Sequence, residues 1–371
     1  MPKNRIAVSL LFFVCGFVYT NWSTRLPDIQ TLFGLTNSAL GLMLLFVAVG
    51  SLTSMPLTGW LIAHRGSRFA TVFSSLLFCC SLFLFPLLFS PLHLGLFFYV
   101  VGFFMGALDV SMNAQAVSVE QRFQRPMMSS FHAIFSVGMM LGALSGSFFV
   151  RFPIQPHFLI ISAGCLAVAV VCIPFLIADK TQPDAEGIQF MMPNHAMYVM
   201  GVIAFCAMLG EGAMADWSTN YLRNVIRTDS TLAPVGLSAF SAAMTVGRFG
   251  GDRLRIHWGD KKLIFFNSLL AAVGLIFALL FSSVWTVIGG LFLVGAGLST
   301  IVPIVYSRAG SDPSLPHGVG LAMVTTLGYF GFLFGPPVIG FLADAQGLRF
   351  ALFFVAILFV VMLFLSRKMK G

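Results

Sequence analysis

The chain has 371 residues, of which 58% are hydrophobic and only 9% are charged. A soluble globular domain carries about 25% charged residues, so this composition excludes a set of ordinary soluble domains. The formal net charge of +8 comes from basic residues scattered over short segments, which argues against a nucleic-acid-binding protein.

Twelve apolar stretches are long enough to cross a bilayer as helices of about 20 residues. Their length and even hydrophobicity exclude a β-barrel, and the sequence therefore predicts an all-α integral membrane protein. The six cysteines lie inside these stretches without metal-site spacing, so no metal site is predicted. In chain order the predicted helices are 6–26, 38–62, 69–90, 93–118, 128–150, 157–178, 196–222, 235–254, 262–281, 285–307, 318–342 and 349–366.

The distribution of Lys and Arg predicts the topology. If the N-terminus lies in the cytoplasm and the helices alternate, 16 of the 21 basic residues fall on the cytoplasmic side and 5 on the other. Cytoplasmic loops of membrane proteins carry this excess of Lys and Arg, so both termini are predicted to be cytoplasmic.

Reporter fusions test this topology. We expect fusions ending at residue 185 and at residue 371 both to report the cytoplasm, because both positions follow an even number of predicted helices. A periplasmic signal from either fusion would contradict the predicted orientation.

The second half of the sequence repeats the first at a nearly constant offset. "NWST" at Asn21–Thr24 recurs as "DWST" at Asp216–Thr219, 195 positions later, and further along Gly102 matches Gly295 at an offset of 193. This repeat predicts two pseudo-symmetric bundles of six helices each. The predicted parts are an N-terminal bundle 1–178, a cytoplasmic linker 179–195 and a C-terminal bundle 196–371.

Two parallel six-helix repeats are the arrangement of the major facilitator superfamily of secondary transporters. "RLPDIQTLFGLTNSALGLM", which starts at Arg25, resembles the first external loop of that superfamily. "GWLIAHRGSRF", Gly59–Phe69, resembles its loop between helices 2 and 3, although Ala63 stands where the family has Asp. Within the superfamily the chain looks most like the fucose-permease-related and rhizopine-transport-like branch.

This resemblance implies a secondary active transporter in the bacterial inner membrane. The expected activity is alternating-access movement of a small polar solute, namely a sugar, a polyol or an inositol-like amine, by proton-coupled import. The expected partners are the solute, protons and membrane lipid, with no cofactor and no nucleic acid, and the protein is expected to be a monomer.

Three acids, Asp109, Glu211 and Asp216, lie inside predicted helices, away from the last few residues, in positions where an ionisable residue costs about 2.5–3.5 kcal/mol and usually serves a purpose. Asp109, with Asn113 one turn further, belongs to "GALDVSMN", which resembles helix 4 of the fucose-permease branch, where the acid takes part in proton coupling. Glu211 is the second candidate for proton coupling, although its flanking glycines also fit a packing role. His132 is a candidate proton relay or solute ligand, or else a structurally paired histidine.

The two Trp-Ser-Thr copies lie at the outer ends of predicted helices 1 and 7, which line the central cavity in the family. Each copy carries polar residues one helical turn apart, so both are predicted to form the rim of one cavity. The alternative for the two tryptophans is an anchor at the membrane interface. The predicted solute-binding residues here are Asn21, Trp22, Arg25, Asp216, Trp217 and Asn220.

Gating residues are predicted from the resemblance at the cytoplasmic loops and in helix 11. The alternative for the charged members is the ordinary positive-inside bias. The two prolines bend a helix by removing a backbone donor, which suits a rocking element. The predicted gating residues are Gly59, Gly66, Arg68, Arg122, Asp252, Arg253, Pro336 and Pro337.

Three competing functions remain at this point. A proton-driven exporter of a small metabolite or drug is disfavoured because helix 5 lacks the Gly-Pro pair of the family's drug antiporters. An intramembrane enzyme is suggested by Ser145 in "GALSG", but it would not account for two repeats of six helices each. A passive channel would need a ring of like residues, which the scattered acids do not form.

Overall fold

The structure, a computed structural model, describes residues 3–124, 127–178, 195–310 and 319–369. These ranges are almost entirely helical, since a helix satisfies every backbone polar group within one apolar segment. The helices are α1 Lys3–Ser23, α2 Leu26–Leu32, α3 Asn37–Ser81, α4 Pro91–Phe123, α5 Met128–Phe149, α6 Ile154–Cys172, α7 His195–Asn220, α8 Ala233–Trp258, α9 Asp260–Leu280, α10 Val284–Leu298, α11 Ile301–Gly310, α12 Val319–Gln346 and α13 Leu348–Lys368.

Ten stretches of the described helices are long and apolar enough to cross a membrane. One of them covers α3, which is really two helices, because Gly66 in its middle has a non-helical φ of 80° and ψ of 160°. The 26-residue α8 is not among the ten, since its second half carries several charged residues. With α3 counted twice and α8 added, the predicted all-α fold of twelve membrane helices is confirmed.

The chain forms two compact units. The first comprises Met1–Leu35 and Leu42–Glu186, and the second comprises Thr36–Gly41 and Gly187–Gly371. The linker predicted at 179–195 lies, except for His195, outside the described residues, so its place remains a prediction.

In the first unit, α1 packs along α5 and is flanked by α4 and α6. Small residues on α5 bring the two backbones together at intervals of four residues. A Cβ on Gly138 would meet the carbonyl oxygen of Phe13, and a Cβ on Gly142 would meet Thr20. This spacing of small residues is how membrane helices gain van der Waals contact without a hydrophobic driving force.

The second unit repeats this packing. α12 lies along α7, as α5 lies along α1, and α10 packs between α8 and α9. Gly295 of α10 faces the carbonyl oxygen of Phe240, just as Gly102 of α4 faces the carbonyl oxygen of Val47. Both partners of the second contact lie 193 positions before those of the first, so the sequence repeat is present in the packing.

Candidate functional site

Asp109 and Asn113 meet on one side of α4, as their spacing predicts. The Asn113 side-chain amide donates to the backbone carbonyl of Asp109 at 2.8 Å and to the carboxylate Oδ1 at 3.2 Å. Both residues are half-buried. The contact joins two polar side chains one helical turn apart on the same face of α4.

Glu211, the other candidate for proton coupling, pairs with an arginine. Its Oε1 accepts a hydrogen bond from Arg248 Nη2 at 3.3 Å, joining α7 to α8. Only 16% of the Glu211 side chain and 15% of the Arg248 side chain is exposed. Arg248 is one of the 16 basic residues that the predicted topology counts on the cytoplasmic side, and the structure places its side chain beside Glu211. Sequence reasoning therefore missed the partner of one of its two proton-coupling candidates.

Asn21, in the first Trp-Ser-Thr copy, is fully buried and joins three helices. Its side-chain Oδ1 accepts from Ser145 Oγ of α5 at 2.8 Å and lies 2.9 Å from Nε2 of His157 on α6. Ser145 and His157 thus share one acceptor, which is not the geometry of a serine activated by a histidine base. Nothing in the sequence pattern pointed to His157, because it lies 136 positions from its partner.

Arg25 caps the end of α5. Its guanidinium donates to the carbonyl oxygens of Phe149 at 3.1 Å and Phe152 at 2.8 Å, and it pairs with Asp28 at 3.1 Å. A cation at the C-terminal end of a helix binds carbonyls that have no intrahelical partner and complements the helix dipole. The contacts of Asn21 and Arg25 therefore hold the first unit together, whatever else the two residues do.

Neither tryptophan of the repeated motif lies at the surface. Trp22 is 1% exposed and packs against Tyr19 and Phe98, with ring centroids 5.4 Å apart in both cases, and Trp217 is fully buried. An anchor at the membrane interface keeps part of its ring among the lipid headgroups. The anchor interpretation is wrong for both residues.

The second Trp-Ser-Thr copy is also buried, but its helix ends differently. Asp216 is 7% exposed and Asn220 is fully buried, so both predicted solute ligands lie inside the protein. α7 ends at Asn220, and the chain continues as a single π-helical turn, Tyr221–Val225. π-turns are rare and occur often at functional sites. The first copy has no such turn and is followed by α2 instead.

His132 is half-buried on α5. Its ring stands edge-on to Phe12 of α1, with centroids 5.3 Å apart. The contact lies in the first unit, on the helix pair that also carries Asn21.

Of the two predicted gating glycines, Gly66 lies at a sharp turn that both halves share. Gly66 has φ 80° and ψ 160°, and its repeat equivalent Gly259 has φ 72° and ψ 162°. Side chains other than glycine rarely adopt such a positive φ, so the repeated glycine has a conformational cause. Gly59, by contrast, has open space where a Cβ would stand.

The charged gating candidates are spread over different environments. Arg68 is half-buried, whereas Arg122 and Arg253 are exposed. The side chain of Asp252 lies outside what the structure describes, so its predicted latch with Arg253 stays a prediction. Pro336 and Pro337 are buried within α12, which continues as a helix on both sides of them.

A charge network next to Gly259 was not predicted as a unit. Asp260 accepts from Arg255 Nε at 2.6 Å and Nη2 at 3.2 Å, and its Oδ2 lies 3.8 Å from Arg308 Nη1. Arg255 also donates to Ser307 at 3.1 Å. The network ties α8, α9 and α11 together at the loop where the sequence analysis placed the second-half gate.

Known proteins resemble this chain over most of its length. A family model of the Major Facilitator Superfamily matches residues 8–312. An uncharacterised MFS-type transporter of Yersinia pestis is 35% identical over 362 residues, which cover 96% of this chain and 93% of that one.

Two solved structures have the same fold at low sequence identity. The nucleoside transporter NupG superposes with a TM-score of 0.82 at 12% identity, covering 99% of this chain and all of the other. A D-xylose–proton symporter superposes with a TM-score of 0.79 at 13% identity, covering 100% and 98%. The family match and the relatives identify transporters rather than enzymes. The chain belongs to the major facilitator superfamily.

Proposed function

We propose that this transporter imports a small polar solute together with protons by alternating access. The proposed solute is a sugar, a polyol or an inositol-like amine. Of the two solved structures, one is named for nucleosides and the other for D-xylose and protons, and both kinds of organic solute carry several hydroxyl groups. The proposed location is the bacterial inner membrane, with both termini in the cytoplasm and a monomeric protein.

The contact between Asp109 and Asn113 carries the proposal. The carboxylate sits mid-way along the 33-residue α4, inside a candidate membrane span, where permanent ionisation is costly. Its Oδ1 accepts a hydrogen bond from the neutral amide of Asn113 at 3.2 Å. A carboxylate held in this way can take up and release a proton as its hydration changes, while the amide donates to solute hydroxyls. We therefore assign proton exchange to Asp109 and solute contact to Asn113.

Glu211 is the second proposed site of proton exchange. Its carboxylate is paired with Arg248 at 3.3 Å. Asp216, Trp217, Asn220 and His132 remain proposed solute or relay residues. The proposed gating residues remain Gly59, Gly66, Arg68, Arg122, Asp252, Arg253, Pro336 and Pro337.

Solute identification and uptake test the proposal. A thermal-shift screen of sugars, polyols and amines on the purified protein selects the solute that raises the melting temperature. Proteoliposomes loaded with buffer are then diluted into a more acidic buffer, which imposes an inward proton gradient. We expect accumulation above equilibration that a protonophore abolishes.

The alternatives predict different results in the same vesicles. Equilibration without accumulation would indicate a passive pathway. Accumulation only when the proton gradient is reversed would indicate the proton-driven exporter of a metabolite or drug. Either result would overturn proton-coupled import.

A further inference from the structure

The end of α13 carries an arginine that lies over two aromatic rings. The guanidinium carbon of Arg367 is 5.1 Å from the ring centroid of Phe265 on α9 and 5.7 Å from that of Phe364 on α13. An aromatic face attracts a guanidinium within about 6 Å of the ring centre. Because the two rings belong to different helices of the second unit, they hold Arg367 over the seam where the end of α13 meets the start of α9.

Two lysines share the helix faces that form this seam. Lys368 is one helical turn from Phe364 on α13, and Lys262 is one turn from Phe265 on α9, so each lysine lies on the side of a ring beneath Arg367. All three cations are exposed. Lys262, Arg367 and Lys368 are called the basic cluster below.

No carboxylate pairs with the basic cluster among the residues that the structure describes. Asp260 stands at the start of the same helix as Lys262, but it accepts from Arg255 of α8 and lies 3.8 Å from Arg308 of α11. Its charge is therefore held by other arginines. The basic cluster offers its positive charges to an anion that the described chain does not supply.

Exposed apolar stripes lead away from the basic cluster along both helices, and both helices are candidate membrane spans. On α13, Phe350, Ile357 and Phe364 recur every seven residues and are exposed. On α9, exposed residues follow Lys262 at spacings of three and four, which keeps them on one helix face. The members of this α9 stripe are Phe266, Leu269, Val273, Phe277 and Leu280.

The first half of the chain has no equivalent of the basic cluster. At the offset of 193, the three positions that correspond to its cations are all uncharged, namely Phe69, Pro174 and Phe175. An excess of basic residues at cytoplasmic helix ends is a property of membrane proteins as a whole. The general bias therefore does not account for a cluster that only one of two equivalent seams carries.

We propose that the basic cluster binds the phosphate headgroup of an anionic phospholipid whose acyl chains lie along the two exposed stripes. The planar guanidinium of Arg367 can donate two parallel hydrogen bonds to phosphate oxygens, and the lysines add positive charge. The predicted topology counts all three residues on the cytoplasmic side, where basic pockets between membrane helices bind anionic headgroups. The site does not depend on which solute the protein carries.

Lipid titration of the full-length protein in detergent, read by native mass spectrometry, tests the site. The probe is dioleoyl phosphatidylglycerol, and dioleoyl phosphatidylcholine is the zwitterionic comparison. We expect the wild type to bind phosphatidylglycerol more tightly than phosphatidylcholine. Arg367→Gln should weaken phosphatidylglycerol binding roughly fivefold, and Arg367→Gln with Lys368→Gln roughly 25-fold, the sizes expected for one and two basic residues at an anionic lipid surface.

Arg65→Gln is the matched control. Arg65 is exposed and lies over the exposed ring of Phe69 at 5.7 Å, but this ring is on the same helix, α3, so Arg65 does not bridge two helices. We expect Arg65→Gln to bind phosphatidylglycerol as the wild type does. Equal losses in Arg65→Gln and Arg367→Gln would show only a general attraction of basic residues to anionic lipid, and would overturn the proposed site. Equal binding of the two lipids by the wild type would overturn it as well.

Inorganic phosphate distinguishes a lipid site from a site for a free anion. We expect millimolar phosphate to leave phosphatidylglycerol bound, because a free ion makes no contact with the apolar stripes. Phosphatidylglycerol should also raise the melting temperature of the wild type by mass action, and raise that of Arg367→Gln less at the same lipid concentration. Displacement of the lipid by phosphate, or equal thermal shifts in the two proteins, would contradict a phospholipid site at Arg367.

Discussion

Asp109→Asn is expected to abolish accumulation of solute against its gradient and to leave solute exchange across the membrane intact. The amide mimics the protonated carboxyl and keeps the hydrogen-bonding shape that Asn113 contacts at 3.2 Å. It cannot take up or release a proton, so solute movement loses its link to the proton gradient. Uptake under a proton gradient and counterflow of labelled solute in proteoliposomes measure the two activities separately.

The matched control for this variant is Asp229→Asn. Asp229 is an exposed acid in the loop before α8, and its neutralisation removes the same charge without touching α4. We expect Asp229→Asn to accumulate solute as the wild type does. Wild-type accumulation by Asp109→Asn would contradict the assignment and would make Glu211 the next candidate.

Glu211→Gln is expected to lower the stability of the protein by about 3 kcal/mol. The substitution leaves the 15%-exposed Arg248 guanidinium without the carboxylate that lies 3.3 Å from it. Breaking a buried ion pair on one side costs several kcal/mol, mainly because the remaining charge stays desolvated. The effect is measured by thermal unfolding in detergent, with the loss of monodisperse protein as the signal.

The double variant Glu211→Gln with Arg248→Gln identifies the cause. It removes both charges together, so we expect it to recover stability to within about 1 kcal/mol of the wild type. Lys262→Gln, which neutralises an exposed residue of α9, is the control and should change stability by less than about 0.5 kcal/mol. Equal losses in the single and double variants would show that the pair does not account for the effect.

Hydropathy predicts the helices well because a bilayer imposes one length and one composition on every span. The stretch predicted at 128–150 is α5, Met128–Phe149, and that at 349–366 lies within α13, Leu348–Lys368. The differences have local causes. The predicted stretch 285–307 is two helices, because the chain turns at Ser299 and Thr300 between α10 and α11.

Side-chain pairing within the candidate site could not be predicted to the same extent. A spacing of four residues predicts the Asp109–Asn113 contact, because both residues share one helix face. The contacts of Glu211 with Arg248 and of Asn21 with His157 depend on how neighbouring helices are rotated. Helices that are apolar on all sides carry no periodic pattern that reveals this rotation.

The two Trp-Ser-Thr copies illustrate this limit. The sequence shows that they are equivalent, and the structure places both in buried helix ends. Their surroundings differ, because Arg25 of the first copy reaches the end of α5, whereas Asn220 of the second precedes a π-turn. Repeat symmetry therefore predicts that both copies lie at buried helix ends, while the surroundings of each copy depend on residues that the repeat does not share.

Solute-driven proton movement tests the central claim most directly. Proteoliposomes without a pH gradient carry a trapped pH indicator, and the solute found in the thermal-shift screen is added outside. The account predicts that the interior acidifies as solute enters the wild type, and that it does not acidify with Asp109→Asn although solute still exchanges. Solute entry into wild-type vesicles without acidification, or equal acidification with Asp109→Asn, would contradict proton-coupled transport through Asp109.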